Sequence, residues 1–288
     1  MGRGSEEQRA TGAAGRPAPP APEPLRPLVD SHTHLDACGA RGAEDVHAIV
    51  DRAAAVGVEA VVTIADDLAS ARWVVDAASS DPRVYAAVAL HPTRADALTD
   101  DARAEIEALA AHPRVVAIGE TGLDLYWPGR LDGCAEPAVQ REAFAWHIDL
   151  AKRIGKPLMI HNRDADRDVL DVLRGKGAPE TVIFHCFSSD AAMARSCVDA
   201  GWVLSLSGTV SFRNAAALHE AVRVIPAGQL LVETDAPFLT PHPYRGAPNE
   251  PYCLPYTVRA LAKLTGQAAE NVASETTATA ERVYGLRV

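Results

Sequence analysis

Eight short apolar segments recur along the chain, and each is followed by a stretch with the pattern of a helix. Alternating strands and helices are typical of a parallel sheet, because a crossover between parallel strands needs a helix-length connection. A closed barrel leaves no sheet edge to protect, whereas a doubly wound open sheet, the alternative, leaves two. The count of eight therefore predicts an α/β fold of the TIM (β/α)8 barrel type. The segments are PLVDSH, VEAVVTIA, RVYAAVALH, RVVAIGET, KPLMIH, TVIFHC, WVLSLS and LLVETD.

Residues 1–26 differ in composition from the rest of the chain. They are rich in Ala, Pro and Gly and almost devoid of large apolar side chains. Such a segment buries too little surface to offset the entropy of ordering, so we predict a disordered tail. It also lacks the apolar region of a secretion signal. The number of residues in 27–288 suits one large barrel as well as two smaller domains, and we expect a single domain.

Composition excludes several classes of protein. The formal net charge of −10 gives no global attraction to nucleic acid, so a phosphate-binding surface would have to be local. No apolar run reaches the ~18 residues of a membrane span, and neither GxGxxG nor a Walker A motif is present, so we expect no membrane association and no nucleotide cofactor. Five cysteines without a CxxC pair indicate reduced thiols in a cytoplasmic protein. The oligomeric state stays open, with a monomer favoured.

Histidines and carboxylates follow the apolar segments where the strands end. In a TIM barrel the carboxyl ends of all strands meet at the face that carries the active site. Five of the ten histidines lie at these strand ends, and the other five, at positions 47, 112, 147, 219 and 242, fall on predicted helices or loops. We therefore predict one metal site at this face. Its candidate members are His32, His34, His91, Glu120, His161, His185 and Asp235.

The number of donors exceeds what a single ion needs. A catalytic zinc takes three protein ligands and a water, whereas four or five imidazoles with two carboxylates suit two ions about 4 Å apart. Mixed nitrogen and oxygen ligands favour Zn²⁺ or Mn²⁺, since Mg²⁺ sites are normally richer in oxygen. We predict two divalent ions and leave their identity open among Zn²⁺, Mn²⁺ and Mg²⁺.

Eight motifs in register resemble those of the TatD family of metal-dependent hydrolases. The motifs are DSHTHLD, ALHP, IGETGLD, IHNRDA, HCFSSD, GTVSFRN, ETDAPFLTP and RGAPNEP. The resemblance implies an amidohydrolase-like TIM barrel with metal-dependent deoxyribonuclease or related phosphodiesterase activity. It also implies roles for the metal-site residues. His32, His34 and Asp235 would bind one ion, His161 and His185 would bind the second, and Glu120 would bridge them. His91 would lie nearby, where it supports a ligand or contacts phosphate.

The chain departs from the family pattern at three places. Ser189 stands where the family commonly has Gly, and Ala247 and Pro248 stand where it often has basic residues. The loop YWPGRLDGCAEPA is longer than usual. None of these is a proposed ligand, but the positive charge at the mouth of the barrel is reduced.

Further residues are candidates for substrate contact or for support of the site. Arg163 follows a strand end and could reach a phosphate or be an ordinary surface arginine. Loops at this face commonly bind substrate, which makes Arg245 and Asn249 candidates. Asp124 could orient a metal ligand, and Glu250 is expected to brace its loop. Trp127 is the candidate for base stacking, whereas three tryptophans are expected to pack in the interior: Trp73, Trp146 and Trp202.

The leading functional hypothesis is a hydrolase that cleaves DNA phosphodiesters from an end, with RNA or tRNA as further possible substrates. Asp235 is the predicted general base beside the attacking water, and Glu120 is the second catalytic residue. One alternative keeps the site and changes the bond, as in a D-aminoacyl-tRNA deacylase or another ester or amide hydrolase. Another is a metal-binding scaffold without catalysis, which a missing ligand would favour.

Overall fold

The computed structural model describes residues 15–288, and its centre is an eight-stranded parallel sheet. The strands follow one another around the sheet in chain order, each hydrogen-bonded to the next. All eight predicted strands are present. They are β1 Leu28–Thr33, β2 Val58–Ile64, β3 Val84–Val88, β4 Val115–Asp124, β5 Leu158–Arg163, β6 Val182–Phe184, β7 Val203–Leu206 and β8 Leu230–Val232.

Hydrogen bonds beyond β8 bring the end of the sheet back to β1. The amide of Asp235 donates to the carbonyl of His32 at 2.9 Å, and the amide of His34 donates to the carbonyl of Ala236 at 2.7 Å. The Thr234 hydroxyl also donates to the buried carboxyl group of Asp30 at 2.5 Å. The sheet is thus a nearly closed barrel, which confirms the TIM barrel and excludes the open sheet.

Helices pack around the outside of the barrel, one after each of the first seven strands and two after the eighth. Capping residues set the ends of several helices. The Asp67 carboxylate and the Ser70 side chain form a capping box at the start of one helix, and Gly155 and Gly266, in the left-handed backbone conformation, end two others. No helix in residues 15–288 is long and apolar enough to cross a membrane. The helices are α1 Ala43–Ala55, α2 Leu68–Ser80, α3 Asp100–Ala110, α4 Pro137–Ile154, α5 Asp166–Lys176, α6 Ala191–Asp199, α7 Ala216–Val222, α8 Leu254–Thr265 and α9 Ala269–Tyr284.

The core has two layers, as a filled barrel requires. Small and branched side chains such as Val62, Ala87 and Ile183 fill the barrel interior, and a larger apolar cluster lies between strands and helices. Because successive strand residues point to opposite sides, a strand buried on both faces reads as a continuous apolar run. This packing holds the strand ends, and therefore the site, in fixed relative positions.

Residues 15–26, which we call the strap, lie in extended conformation against the outside of the barrel. Leu25 is buried, and its amide donates to the carbonyl of Val56 at 2.9 Å. The hydroxyls of Tyr252 and Tyr256 donate to carbonyls of the strap at 2.8 Å each. This docking differs from the disorder predicted for residues 1–26, because side chains of the barrel satisfy the strap's backbone. Residues 1–14 of the predicted tail lie outside the described residues.

Candidate metal centre

The seven histidines and carboxylates predicted at the strand ends converge at the carboxyl face of the barrel. Five of them are buried, and His91 and His161 are partly buried. Their backbone positions follow from the strands that carry them: Glu120 belongs to β4 and His161 to β5, and the others lie within β1 or just past β1, β3, β6 and β8. The strand ends therefore bring together residues that are up to 203 positions apart in the chain.

Glu120 is the centre of the cluster. Its Oε1 lies 2.5 Å from His161 Nδ1 and 2.7 Å from His185 Nε2. The same oxygen lies 3.6 Å from His91 Nε2. Its Oε2 lies 3.5 Å from His32 Nε2. The two oxygens of one carboxylate thus lie close to different imidazoles.

The second wall of the site is formed by residues of β1 and of the segment after β8, which meet where the barrel closes. His32 Nε2 and His34 Nε2 are 3.2 Å apart, because alternate residues of β1 point the same way. Asp235 Oδ1 lies 3.6 Å from each of these nitrogens. His32 and His185 also stack, with ring centroids 3.9 Å apart, so the two walls are in direct contact.

Three groups of donor atoms are close enough to hold an ion, the atoms of each group lying within 4.8 Å of one another. Glu120 and His32 each belong to two groups. A carboxylate can offer one oxygen to each of two neighbouring ions, whereas an imidazole nitrogen binds a single ion, so the two groups that contain His32 are alternatives. The grouping adds His91 to the possible ligands, where the sequence predicted a supporting or phosphate-contacting role. Imidazole and carboxylate donors fit a divalent cation of the Zn²⁺ or Mn²⁺ type. The groups are His32, His34 and Glu120; His32, His185 and Asp235; and His91, Glu120 and His161.

The site's electrostatics push its members to opposite protonation states. Burial alone would raise the pKa of Glu120, but the neighbouring imidazoles of His185 and His91 hold that pKa well below its usual range. Burial lowers the pKa of His32 to about 4 and that of His91 to about 3. The pKa of His185 rises well above its usual value, because Glu120 outweighs the effect of burial. Neutral imidazoles and ionised carboxylates are the forms that coordinate metals, so His185 must lose its proton to bind an ion.

Carboxylates lie behind three of the histidines, and one of them is hydrogen-bonded to its ring. Asp124 Oδ2 lies 3.0 Å from His161 Nε2, as the orienting role predicted for Asp124 requires. Glu233 Oε1 lies 3.4 Å from His185 Nδ1. Asp66 Oδ1 lies 3.7 Å from His34 Nδ1. A carboxylate on the far nitrogen of a metal-binding imidazole fixes its tautomer and raises its basicity.

Sequence reasoning missed Asp66 and Glu233, although both carried a signal. Asp66 lies two residues past β2, so the strand-end rule that selected the other ligands also covers it. Glu233 precedes Asp235 by two positions, the period of a strand, and is fully buried. Glu233 Oε1 also accepts the amide of Cys186 at 2.8 Å, which ties the ends of β6 and β8 together.

An aromatic and cationic surface stands beside the metal centre, on the loop after β4. The guanidinium of Arg163 lies over the ring of Tyr126 at 4.1 Å and over that of Trp127 at 5.2 Å. Asp124 Oδ1 accepts the amides of Tyr126 at 2.9 Å and Trp127 at 3.0 Å. Asp124 thus joins this surface to the ligand His161. Arg163 is not an isolated surface arginine.

A polar cleft of about 500 Å³ opens next to Arg163, lined by residues 162–164, 166, 188 and 189. Ser189, the first departure from the family pattern, donates through its hydroxyl to Asp166 Oδ1 at 2.7 Å. The Asn162 amide donates to the same oxygen at 2.6 Å. The serine therefore forms part of the wall of this cleft.

The candidates in the loop after β8 separate into a surface residue and two internal supports. Arg245 is exposed, with its guanidinium 4.4 Å from the centre of the Phe212 ring. Asn249 is buried and donates to the carbonyls of Thr234 at 3.0 Å and Phe238 at 2.5 Å, so it supports Asp235 from behind. Glu250 braces the loop, accepting from Arg52 Nε at 2.9 Å.

Left-handed backbone conformations concentrate at the same face. Among residues 15–288 the non-glycine residues with positive φ are Asp164, Cys186, Asp235 and Leu239. Each follows the carboxyl end of a strand, and Asp235, with φ of 52°, is itself a candidate ligand. Non-glycine residues in this region are uncommon and cost of order 1–3 kcal/mol, so the surrounding structure must hold them there.

The barrel and its cluster of imidazoles and carboxylates define a metal-dependent TIM-barrel hydrolase. A family profile described as TatD related DNase matches residues 29–285. The uncharacterized metal-dependent hydrolase TatD of Mycobacterium tuberculosis is 77% identical over 259 residues, covering 90% of this chain and 98% of that protein. The chain belongs to the TatD family of metal-dependent hydrolases.

Two further comparisons agree with this assignment. The crystal structure of YjjV, a TatD homologue from Escherichia coli K12, superposes with a TM-score of 0.82 at 25% identity, covering 90% of this chain and 98% of that one. The 3'-5' ssDNA/RNA exonuclease TatD of Erwinia billingiae is 34% identical over 209 residues, covering 70% of this chain and 78% of that protein. The fold and the family predicted from the sequence are confirmed.

Proposed function

We propose that this protein is a two-metal phosphodiesterase that removes nucleotides from an end of single-stranded nucleic acid, with DNA as its first substrate. The observation that carries the proposal is the position of Glu120, whose two oxygens lie next to different imidazoles: Oε1 next to His161 and His185, and Oε2 next to His32. A shared carboxylate between two sets of donors is the arrangement used to hold a pair of divalent ions.

The residues divide into two sets around that carboxylate. His32, His34 and Asp235 would hold one ion, and His161 and His185 the other, with His91 within reach of the second. His185 is also grouped with His32 and Asp235, so it lies within reach of the first ion as well. When bound, the ions supply a lowered pKa for water and charge neutralisation at a phosphate.

The remaining chemistry belongs to the side chains. Asp235 Oδ1, at the edge of the cluster, is placed to take the proton of the attacking water as general base. Burial lowers the pKa of His91 to about 3, so His91 is neutral at physiological pH and in the form that serves as a ligand. Glu120, held ionised, keeps the imidazoles around it oriented.

The substrate class is supported by the surface beside the site and by one relative. Arg163 over Tyr126 and Trp127 offers a cation for a phosphate and aromatic faces for bases, and base stacking needs unpaired nucleotides. The relative named as a 3'-5' ssDNA/RNA exonuclease supports a single-stranded substrate and attack from the 3' end. We place the activity in the cytoplasm, where the five free cysteines stay reduced.

The direct test is hydrolysis of end-labelled oligonucleotides. Purified protein is loaded with Zn²⁺, Mn²⁺ or Mg²⁺ and incubated with single- and double-stranded DNA carrying a label at the 5' or the 3' end. Stepwise release of mononucleotides from single strands, abolished by a chelator, is expected. His47→Ala is the control, because His47 lies on α1 and its ring contacts Ser80 and Asp81, neither of which belongs to the metal centre.

Two other outcomes would contradict the proposal. Release of a free amino acid from charged tRNA without DNA cleavage would assign the site to deacylation. Full metal occupancy without hydrolysis of any ester, amide or phosphodiester would indicate a non-catalytic metal-binding protein.

A second test concerns the number of ions. Glu120→Ala removes a ligand from both sites, whereas His185→Ala weakens chiefly one, so we expect the first variant to bind less metal and to lose activity entirely. Loss of a residue that merely supports a ligand costs about 10- to 100-fold, and loss of a shared ligand should cost more. Metal analysis and circular dichroism of both variants check this. Full occupancy and near-normal activity in Glu120→Ala would contradict the two-ion site.

A further inference from the structure

Along the chain, the strap, residues 15–26, runs down the outside of the barrel from its mouth to its amino-terminal face. Successive residues of the strap meet successively later positions of the segment that runs from the loop after β8 into α8. Arg259 Nη2 donates to the carbonyl of Glu23 at 2.7 Å, and Tyr256 donates to that of Pro20 at 2.8 Å. Tyr252 then reaches Pro19, also at 2.8 Å. The partner positions rise in the same order as the strap residues, so the strap runs parallel to α8.

The lower end of the strap is fixed where β1 and β2 begin. The buried side chain of Leu25 joins the main apolar cluster, and its amide bonds to Val56. Gly57 makes this approach possible, since a Cβ there would lie 2.2 Å from the carbonyl oxygen of Leu25. Pro19 and Pro22 are buried as well. The strap is therefore a packed element, although the family match begins only at residue 29.

The upper end of the strap places Arg16 against the loop after β8. Arg16 Nη1 donates to the carbonyl of Arg245 at 2.5 Å and lies 3.7 Å from where a Cβ of Gly246 would be. The guanidinium of Arg245 rests on Phe212, in the loop after β7. Two exposed arginines thus lie next to each other at the rim of the face that holds the metal centre, joined through the backbone carbonyl of Arg245.

The charges around these arginines favour an anionic ligand. In residues 15–288 no carboxylate lies within ion-pair distance of Arg16 or Arg245, although the protein carries a net charge of −10. The next two residues of the loop, Ala247 and Pro248, are uncharged. A pair of unneutralised guanidiniums in an acidic protein forms a local positive potential that attracts phosphate.

We propose that Arg16 and Arg245 form a phosphate-binding subsite, the rim site, that holds the backbone of a single strand some nucleotides away from the bond being cut. The inference rests on the proposed function and extends it. The strap positions Arg16 at the rim of the barrel, so a segment outside the family match contributes to the binding of longer substrates. A strand long enough to reach the rim site gains one or two charge-assisted contacts, and a dinucleotide at the metal centre gains none.

The test is binding of oligonucleotides to the full-length protein with a chelator present, so that no strand is cut. Fluorescence anisotropy compares a sixteen-nucleotide oligothymidine with a dinucleotide. We expect Arg16→Gln and Arg245→Gln each to weaken binding of the long strand about threefold, as for other exposed charge pairs. The salt dependence, as the slope of log K against log salt, should fall by about 0.7 for each arginine removed. Binding of the dinucleotide should not change.

The matched control is Arg223→Gln. Arg223 follows α7 at the opposite face of the barrel, is exposed, and lies 3.5 Å from Glu220, so the variant removes the same charge elsewhere. Equal losses in Arg223→Gln and Arg16→Gln would reduce the effect to net charge and overturn the rim site. Unchanged binding of the long strand in Arg16→Gln would overturn it as well.

Docking of the strap is tested by removing its hydrogen-bond donors. Tyr252→Phe with Tyr256→Phe should lower affinity for the long strand in the native background and add nothing in the Arg16→Gln background. Additive losses would show that the strap does not act through Arg16. Because these measurements need no catalysis, a protein that binds DNA without cutting it would refute the proposed function while the rim site is still decided.

Discussion

At the scale of the residue, the surroundings of a histidine decide its role in this chain. The imidazoles at the barrel mouth face carboxylates, which keep them positioned for a metal. His147, on α4, is equally buried but has backbone partners: Nδ1 donates to the carbonyl of Ala143 at 2.8 Å and Nε2 accepts the amide of Leu90 at 3.4 Å. Burial lowers the pKa of His147 to about 4. It is a neutral structural residue that ties α4 to the end of β3.

His147 should make the stability of the protein depend on pH. Its pKa is near 6.5 in the unfolded chain and about 4 in the folded protein, so between these values the unfolded state binds more protons and stability falls as the pH falls. Between pH 7.5 and pH 5 this contribution amounts to about 2 kcal/mol. Comparison with His147→Gln isolates it, because the metal-site histidines are the same in both proteins.

Urea unfolding at the two pH values provides the measurement. His147→Gln is expected to be less stable than the native protein at pH 7.5, and the gap should narrow by about 2 kcal/mol at pH 5. A gap of constant size at both pH values would mean that His147 titrates in the folded protein as it does in the unfolded chain.

At the scale of the element, two glycines let β4 and β5 approach each other closely on either side of Glu120. A Cβ at Gly122 would lie 2.1 Å from the carbonyl oxygen of His161, and one at Gly119 would lie 2.5 Å from Cβ of Met159. Gly122 also has a φ of +141°, which side chains rarely adopt. The short contact between Glu120 and His161 depends on this approach.

Gly122→Ala should therefore damage both stability and the site. The new methyl group must push β5 away, which strains the backbone by about 1–3 kcal/mol and displaces His161 from Glu120. A misplacement of 1 Å at a reacting centre can cost about a hundredfold in rate. Metal content, hydrolysis and the unfolding midpoint are the measurements.

Gly175→Ala is the matched control for Gly122→Ala. Gly175 lies within α5 and has open space where a Cβ would stand, so alanine should stabilise the protein by about 0.5–1 kcal/mol. Normal metal binding and activity in Gly122→Ala would show that the approach of β4 to β5 does not position the site.

The sequence predicts the elements that bury apolar surface, but it does not predict the segments that are held by hydrogen bonds to their backbone. The eight strands appear as apolar runs because both faces are buried, and ligands such as His161 and Glu120 follow from where those runs end. The strap carries no such signal: its docking relies on carbonyl groups that every residue has, with the specificity in Tyr252, Tyr256 and Arg259 more than 230 residues away. The buried position of Asn249 depends likewise on long-range packing.

At the scale of the whole molecule, the barrel gathers side chains from six of its eight strands into one partly buried cluster. Glu120, buried among imidazoles, and Glu233, fully buried beside His185, are costly to remove from water unless their charges are compensated. The rigid arrangement of the strands prevents the cluster from dispersing. A bound divalent ion supplies the compensation, so metal binding and global stability should be coupled.

Metal should therefore raise the melting temperature of the whole barrel. An ion that binds only the folded state stabilises it by about 2.7 kcal/mol at one hundred times its dissociation constant. For a domain of this size that gain corresponds to about 5–10 °C, since 1 kcal/mol shifts the midpoint by about 2–4 °C. Calorimetry of chelator-treated protein, before and after titration with Zn²⁺ or Mn²⁺, measures the shift. Glu120→Ala should lose most of it, because the shared ligand is gone, and His47→Ala should keep it in full. A shift of equal size in Glu120→Ala would place the stabilising ion elsewhere on the protein.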